Sequence, residues 1–185
     1  MNRIVVIFGM MGTGKTTLAK ALGEELGWPV VHSDAVRKTL AGLTPTTPTP
    51  TEFGKGIYDE DFSRRTYEEM LSQAKTHLAA GRSVILDGSY KRAAERELVQ
   101  QLARENDAAG IFLYCACPPE VVKERLSLRA QDPESISDGR EELLEAQVRD
   151  FDPVDLTLSD FWGVNTNQEM PAILEKVKYL LERIN

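Results

Sequence analysis

The residues whose types and spacing best suit chemistry are Gly9-Met10-Met11-Gly12-Thr13-Gly14-Lys15-Thr16, followed by Thr17. They fit G-x-x-x-x-G-K-[ST], a loop that wraps an anion. Glycines at 9, 12 and 14 let the backbone turn its N–H groups inward, so Met11, Gly12, Thr13 and Gly14 become candidate phosphate donors. A helix starting at the end of the loop adds the positive end of its dipole, roughly half a charge. Lys15 is expected to reach the β- and γ-phosphates, Thr16 to ligate Mg²⁺ through its hydroxyl, and Thr17 to lie beside the bound phosphates. The ligands implied are ATP and Mg²⁺.

In open α/β sheets ligands bind beyond the carboxyl ends of the strands, so the residues after each strand carry the next candidates. After the second comes His32-Ser33-Asp34-Ala35-Val36-Arg37. A carboxylate at Asp34 can take the proton of an attacking hydroxyl. Arg37, one helical turn on, can hold the acceptor or steady the transferring phosphoryl group. Asp34 or Ser33 can cap the helix, and a cap at Ser33 leaves Asp34 for chemistry; His32 is read as a packed strand-end residue. After the third strand, Val84-Ile85-Leu86 ends in Asp87, the Walker B pattern, whose carboxylate orients Mg²⁺. Lys91, Arg92 and Arg96 can form a basic rim for an anionic acceptor or merely a solvated helix start.

Arg125 and Arg129 are four apart and share a helix face before the polar stretch 131–139. That suits a lid over about 125–140, in which one of the two arginines stacks on the adenine and the other touches the phosphates, Arg129 being the better catalytic candidate. Closure would exclude water and suppress hydrolysis. Arg140 is a third candidate. The structural alternative pairs these arginines with Glu120, Glu124 or Asp132.

Elements that position these groups follow from periodicity. Ile4–Phe8 is a continuous apolar run, typical of a buried parallel strand, and Leu18, Leu22 and Leu26 recur at helical spacing after it. Strand and helix then alternate: strand 29–32, helix 34–40, helix 59–80, strand 84–87, helix 93–105 with Leu98, Val99 and Leu102 inward, strand 110–115. A helix follows from Pro118, another spans 140–149, and strand 162–165 precedes the amphipathic helix 171–184. The alternation predicts an α/β fold with a parallel sheet. Thr44-Pro45-Thr46-Thr47-Pro48-Thr49-Pro50-Thr51 breaks the pattern. It reads as a long surface loop, about 42–57, serving as a flap over the acceptor pocket.

A chain of 185 residues predicts one domain over 1–185. Its net charge of −7 argues against nonspecific nucleic-acid binding, without excluding a local basic groove. No apolar run nears the ~20 residues that span a bilayer. A strand within three residues of Met1 leaves no room for a leader, so a cytoplasmic location is expected. Cys115 and Cys117 read as two buried thiols on one strand face.

The set Gly9–Thr17, Ser33-Asp34-x-x-Arg37, Val84–Asp87, Arg125-x-x-x-Arg129 and Ser137-Asp138 resembles the small P-loop kinases. In particular, residues from about 3 to 155 are similar to the predicted-kinase family often named ATP-binding AAA-type protein. More distantly they resemble the kinase domain of polynucleotide kinase and the zeta-toxin kinases. The resemblance implies a three-layer sandwich, with a five-stranded parallel sheet in order 2-3-1-4-5, helices on both faces and a small lid. In polynucleotide kinase the Asp-x-x-Arg supplies the base and an acceptor-phosphate contact, which fall on Asp34 and Arg37; the lid arginine falls on Arg129, with Arg125 as the alternative. No arginine finger for a ring neighbour and no separate helical lid domain is read here. The expected function is transfer of the γ-phosphoryl group of ATP to a hydroxyl. The acceptor is either a polynucleotide 5′-hydroxyl or a sugar, nucleoside or antibiotic. The alternative is an ATPase or switch without an acceptor. Two departures bear on the acceptor: no phosphatase or phosphotransferase partner domain is expected, and the Thr/Pro flap lies where specificity would be set.

Overall fold

The computed structural model describes residues 1–47, 56–129 and 141–184. Five strands form one parallel sheet: β1 (Asn2–Phe8), β2 (Val30–His32), β3 (Val84–Asp87), β4 (Ala108–Ala116) and β5 (Phe161–Asn165). Their order is β2-β3-β1-β4-β5, the order the resemblance implies. The helices are α1 (Lys15–Leu26), α2 (Ser33–Leu40), α3 (Glu60–Ala79), α4 (Ala93–Glu105), α5 (Pro119–Arg129), α6 (Glu141–Asp150) and α7 (Met170–Arg183).

The apolar run of β1 is continuous because both faces of this central strand are covered. Successive residues point to opposite faces. Ile4, Val6 and Phe8 enter a core with Met70 and Ala74 of α3 and Val99 and Leu102 of α4. Val5 and Ile7 enter a second core with Leu18 and Leu22 of α1 and Ile173 and Val177 of α7. Each fully buried side chain contributes about 1.5–3 kcal/mol, so these two cores hold the central strands and the loops they carry.

Local chemistry sets several boundaries. Asp59 caps α3 by accepting from the Phe62 N–H at 2.7 Å. Gly27 ends α1 in the left-handed region. The expected Ser33 cap is corrected: Ser33 is already helical and buried, and His32 precedes it with no side-chain cap bond. Leu98 is also corrected, being on the outer face of α4 while Val99 and Leu102 point in. Cys117 lies past the end of β4 and is half-buried, so the thiols do not share a strand face. Burial pushes the Cys115 thiol up to about 12. Among the described residues no helix is long and apolar enough to cross a membrane.

Candidate active site

Register brings the functional strand ends together. Asp87 of β3 lies opposite Ile7 of β1 and His32 of β2. The phosphate loop, the β3 carboxylate and the start of α2 therefore leave the sheet at one level. Gly9 begins the loop at φ 139°, and a Cβ there would sit 2.6 Å from the Cys115 carbonyl oxygen. Only glycine lets the loop pass that close to β4. Gly14 caps α1 with φ 85°, so the first turn of α1 opens directly on the loop.

Within the loop, polar atoms hold one another. The Lys15 ammonium donates to the Met10 carbonyl at 2.6 Å, and the Thr13 hydroxyl donates to the same oxygen at 2.7 Å. Two further contacts come from distant elements. Gln147 of α6 accepts from the Met11 N–H at 2.6 Å, and the Thr166 hydroxyl, just past β5, donates to the Thr13 carbonyl at 2.6 Å. Neither residue was singled out from sequence. Inspecting the residue after each strand would have found Thr166, but only once β5 was accepted as a strand. Gln147 carries no sequence signal, because its partner is a backbone group 136 residues away.

Thr16 and Asp87, the two residues expected to position a metal, are hydrogen-bonded to each other. The Thr16 hydroxyl donates to Asp87 Oδ2 at 2.7 Å. His32 Nδ1 bonds the same oxygen at 2.8 Å, so this residue orients the carboxylate as well as packing at the strand end. Asp87 is 3% exposed, and its Oδ1 is buried without a hydrogen-bond partner among the described residues. An orphaned carboxylate oxygen beside a hydroxyl fits Mg²⁺, which takes one or two protein oxygens and fills its shell with phosphate and water. The described residues hold no cluster of three or more metal-ligating His, Cys, Asp or Glu side chains. One hydroxyl and one carboxylate oxygen suit a cation that arrives with the nucleotide.

On the other side stands α2, with Asp34 half-buried in its first turn. Arg37 is 5% exposed. Its NH1 donates to the Ile57 carbonyl at 2.6 Å and the Ser63 hydroxyl at 3.0 Å, its carbon Cζ lies 4.8 Å from the Tyr58 ring centre, and its Nε is buried without a partner among the described residues. The same neighbourhood holds Tyr67 and Tyr90, whose rings lie 4.7 Å apart. The Tyr67 hydroxyl bonds Ser89 at 3.0 Å and accepts from the Tyr90 N–H at 3.1 Å. Burial pushes both phenols up, so both stay protonated. Tyr90 has φ 42°, an uncommon value for a bulky residue, and its buried hydroxyl has no partner among the described residues. A Cβ on Gly88 would meet Ser33 Oγ at 3.0 Å and Tyr90 Cε2 at 3.3 Å. Gly88 thus lets Tyr90 close against the start of α2.

The residues of the expected basic rim are paired within the protein. Lys91 and Arg92 are ion-paired with Asp150, and Arg92 also with Asp152. Arg96 is 4% exposed and donates to the Tyr90 and Pro153 carbonyls. These cations pin the chain after α6 to the start of α4.

Arg125 lies on the far side of the phosphate loop. It donates to the Thr166 carbonyl at 2.7 Å and hydroxyl at 3.3 Å, with Cys117 Sγ 3.6 Å away. It thus flanks Gly14 and Thr166 and is not paired with Glu120 or Glu124. The Arg129 side chain, Arg140, Asp132, Ser137-Asp138, the lid stretch 130–140 and loop residues 48–55 lie outside the described residues.

Strand order, phosphate loop and β3 carboxylate together define a P-loop kinase-like protein. More particularly, the chain belongs to the family described as AAA domain, whose model matches residues 4–154. It is 31% identical over 175 residues to a UPF0200 protein of Aeropyrum pernix, covering 89% of this chain and 86% of that one. It is 32% identical over 128 residues to an uncharacterized protein of Mycobacterium tuberculosis, covering 69% of this chain and 26% of the relative. The chain therefore spans about a quarter of that mycobacterial relative. Among solved structures, an unliganded sugar kinase from Janibacter superposes with TM-score 0.71 at 21% identity, covering 100% of this chain and 96% of that one.

Proposed function

We propose that this protein is an ATP-dependent phosphotransferase that moves the γ-phosphoryl group onto a hydroxyl of a small molecule. The observation that carries the proposal is the joined end of three strands. There Thr16 and Asp87 form a metal-positioning pair beside the phosphate loop, and Asp34 stands at the neighbouring strand end. In this reading the loop N–H groups from Gly12 to Gly14 and the Lys15 ammonium hold the phosphates; the Met11 N–H, a donor expected from sequence, is instead taken by Gln147. Thr16 and Asp87 hold Mg²⁺, which when bound would offset the charge on the transferring phosphoryl group. Asp34 accepts the proton of the attacking hydroxyl. Arg125 borders the adenine, and Arg129 stays the candidate for phosphate contact.

A small acceptor is favoured over a polynucleotide end. Arg37 lies inside the wall with NH1 committed to Ile57 and Ser63, which leaves its Nε, with the Tyr90 hydroxyl, for a compact ligand. Lys91 and Arg92 are ion-paired with acidic residues, in a chain of net charge −7. The superposed sugar kinase is a compatible precedent.

The test is transfer from γ-labelled ATP with Mg²⁺ to sugars, nucleosides, aminoglycosides and 5′-hydroxyl oligonucleotides. Label on a small molecule is expected, and Asp34→Asn should cut transfer by about a thousandfold with little change in nucleotide affinity. Label on oligonucleotides with a steep salt dependence would overturn the small-acceptor assignment. Label only in inorganic phosphate would favour an ATPase.

A further inference from the structure

One peptide unit of the phosphate loop is gripped from both ends. The carbonyl of the Met10–Met11 peptide takes the Lys15 ammonium at 2.6 Å, and its N–H donates to Gln147 Oε1 at 2.6 Å. In a trans peptide these two groups point in opposite directions. Lys15 and Gln147 therefore hold opposite edges of one rigid plane. Gln147 is 8% exposed. Because an N–H donor must face an oxygen, this contact also settles which way the Gln147 amide points.

Two facts place this grip in the site. A P-loop lysine reaches toward the β- and γ-phosphates, so the carbonyl that holds Lys15 marks the terminal-phosphate end of the loop. The helix supplying Gln147 is itself fixed one turn on. Asp150 is bound by Lys91 and Arg92, Asp152 accepts from the Ala93 N–H at 2.9 Å, and Arg96 holds the Pro153 carbonyl at 2.9 Å. The side chain thus comes from a braced element.

We infer that Gln147 is a positioning residue for the terminal phosphate: by fixing the Met10–Met11 peptide it fixes the carbonyl on which the Lys15 ammonium rests. It acts through Lys15. The consequence is selective. The α- and β-phosphates are held by loop N–H groups further along, so perturbing Gln147 weakens a triphosphate more than a diphosphate. A negative charge placed there should repel the γ-phosphate most.

This inference rests on the nucleotide-binding half of the proposed function, and its test needs no acceptor. ADP and a non-hydrolysable ATP analogue, each with Mg²⁺, are titrated by calorimetry into the wild-type chain, Gln147→Glu and Gln147→Leu. Gln147→Glu keeps an acceptor oxygen for Met11 and should fold; circular dichroism melting checks both variants. The expected result is about a tenfold loss for the ATP analogue in Gln147→Glu and less than about threefold for ADP, with Gln147→Leu showing a smaller bias in the same direction. Equal losses for the two nucleotides, or none, in folded Gln147→Glu overturn the inference and leave the phosphate-loop reading intact. Failure of the wild-type chain to bind either nucleotide overturns that reading instead.

Discussion

On the phosphate side of the cleft, the Met10 carbonyl, the Met11 N–H and the Thr13 carbonyl are each taken by a side chain. On the side proposed to take the metal and the acceptor, Arg37 Nε, Asp87 Oδ1 and the Tyr90 hydroxyl are buried and, among the described residues, unpartnered. An unpartnered buried polar atom costs about 1–3 kcal/mol, so three in one neighbourhood are an appreciable burden on a marginally stable fold. The difference teaches how the two halves meet their ligands. The loop is organised by the protein's own groups before any phosphate arrives. The other half keeps polar capacity that a cation and an acceptor would satisfy.

The sharpest way to break this comparison is Asp87→Asn. Removing the charge should lower phosphoryl transfer by about a hundredfold or more, because a neutral amide holds Mg²⁺ poorly. The same change should raise the melting temperature of the ligand-free protein, since a buried carboxylate with one empty oxygen is costly. Calorimetric melting and the labelled-ATP assay read the two effects separately. A fall in both stability and rate would mean that Asp87 is satisfied without a ligand, and the comparison would fail.

Arg37→Met comes next. It keeps the volume but strips the Ile57 carbonyl and Ser63 hydroxyl of their donor. Urea unfolding should show a loss of about 2–3 kcal/mol. A loss below about 0.5 kcal/mol would show that the guanidinium is not holding the wall between α2 and α3.

Smaller in size, but a finer probe, is the pair Tyr67→Phe and Tyr90→Phe. The rings touch, yet among the described residues the Tyr67 hydroxyl makes hydrogen bonds, to Ser89 and from the Tyr90 N–H, and the Tyr90 hydroxyl makes none. Tyr67→Phe should cost about 1–2 kcal/mol, whereas Tyr90→Phe should be neutral or stabilising by about 1 kcal/mol while weakening acceptor binding. Equal losses in urea titrations would place a partner on the Tyr90 hydroxyl.

These contrasts follow how legible each half was in the sequence. Gly9 to Thr17 is contiguous, and its chemistry depends on residues whose order is fixed by one strand, one loop and one helix. The sheet was readable because Ile4–Phe8 and Val84–Leu86 lie in central strands with both faces covered, which leaves unbroken apolar runs. The acceptor side depends on contacts across 20 to 30 residues, such as Arg37 with Ile57 and Tyr67 with Tyr90. A charge run such as Lys91-Arg92 looks like a binding rim until its partners, Asp150 and Asp152, are brought in by folding. Local patterns name groups that act within one element; they say little about groups whose neighbours come from elsewhere.

The smallest effect concerns the brace behind α6. Burial disfavours the ionised Asp150 carboxylate, but hydrogen bonds and charge from Lys91 and Arg92 outweigh it and hold its carboxyl below the usual range. The folded value lies below the unfolded one of about 3.9, so the stabilisation is fully present above about pH 4. It is lost as pH falls through the depressed folded value, because the protonated carboxyl no longer pairs with Lys91 and Arg92. Partial exposure limits its size to about 1 kcal/mol or less. Asp150→Asn should therefore lower stability slightly at pH 7 and flatten the acid limb of a melting-temperature profile taken from pH 6 to pH 2.5. If α6 carries Gln147 to the loop, the variant should also weaken the ATP analogue more than ADP, by less than Gln147→Glu does. A flattened acid limb with no nucleotide bias would confine the brace to stability and leave Gln147 positioned by its own helix.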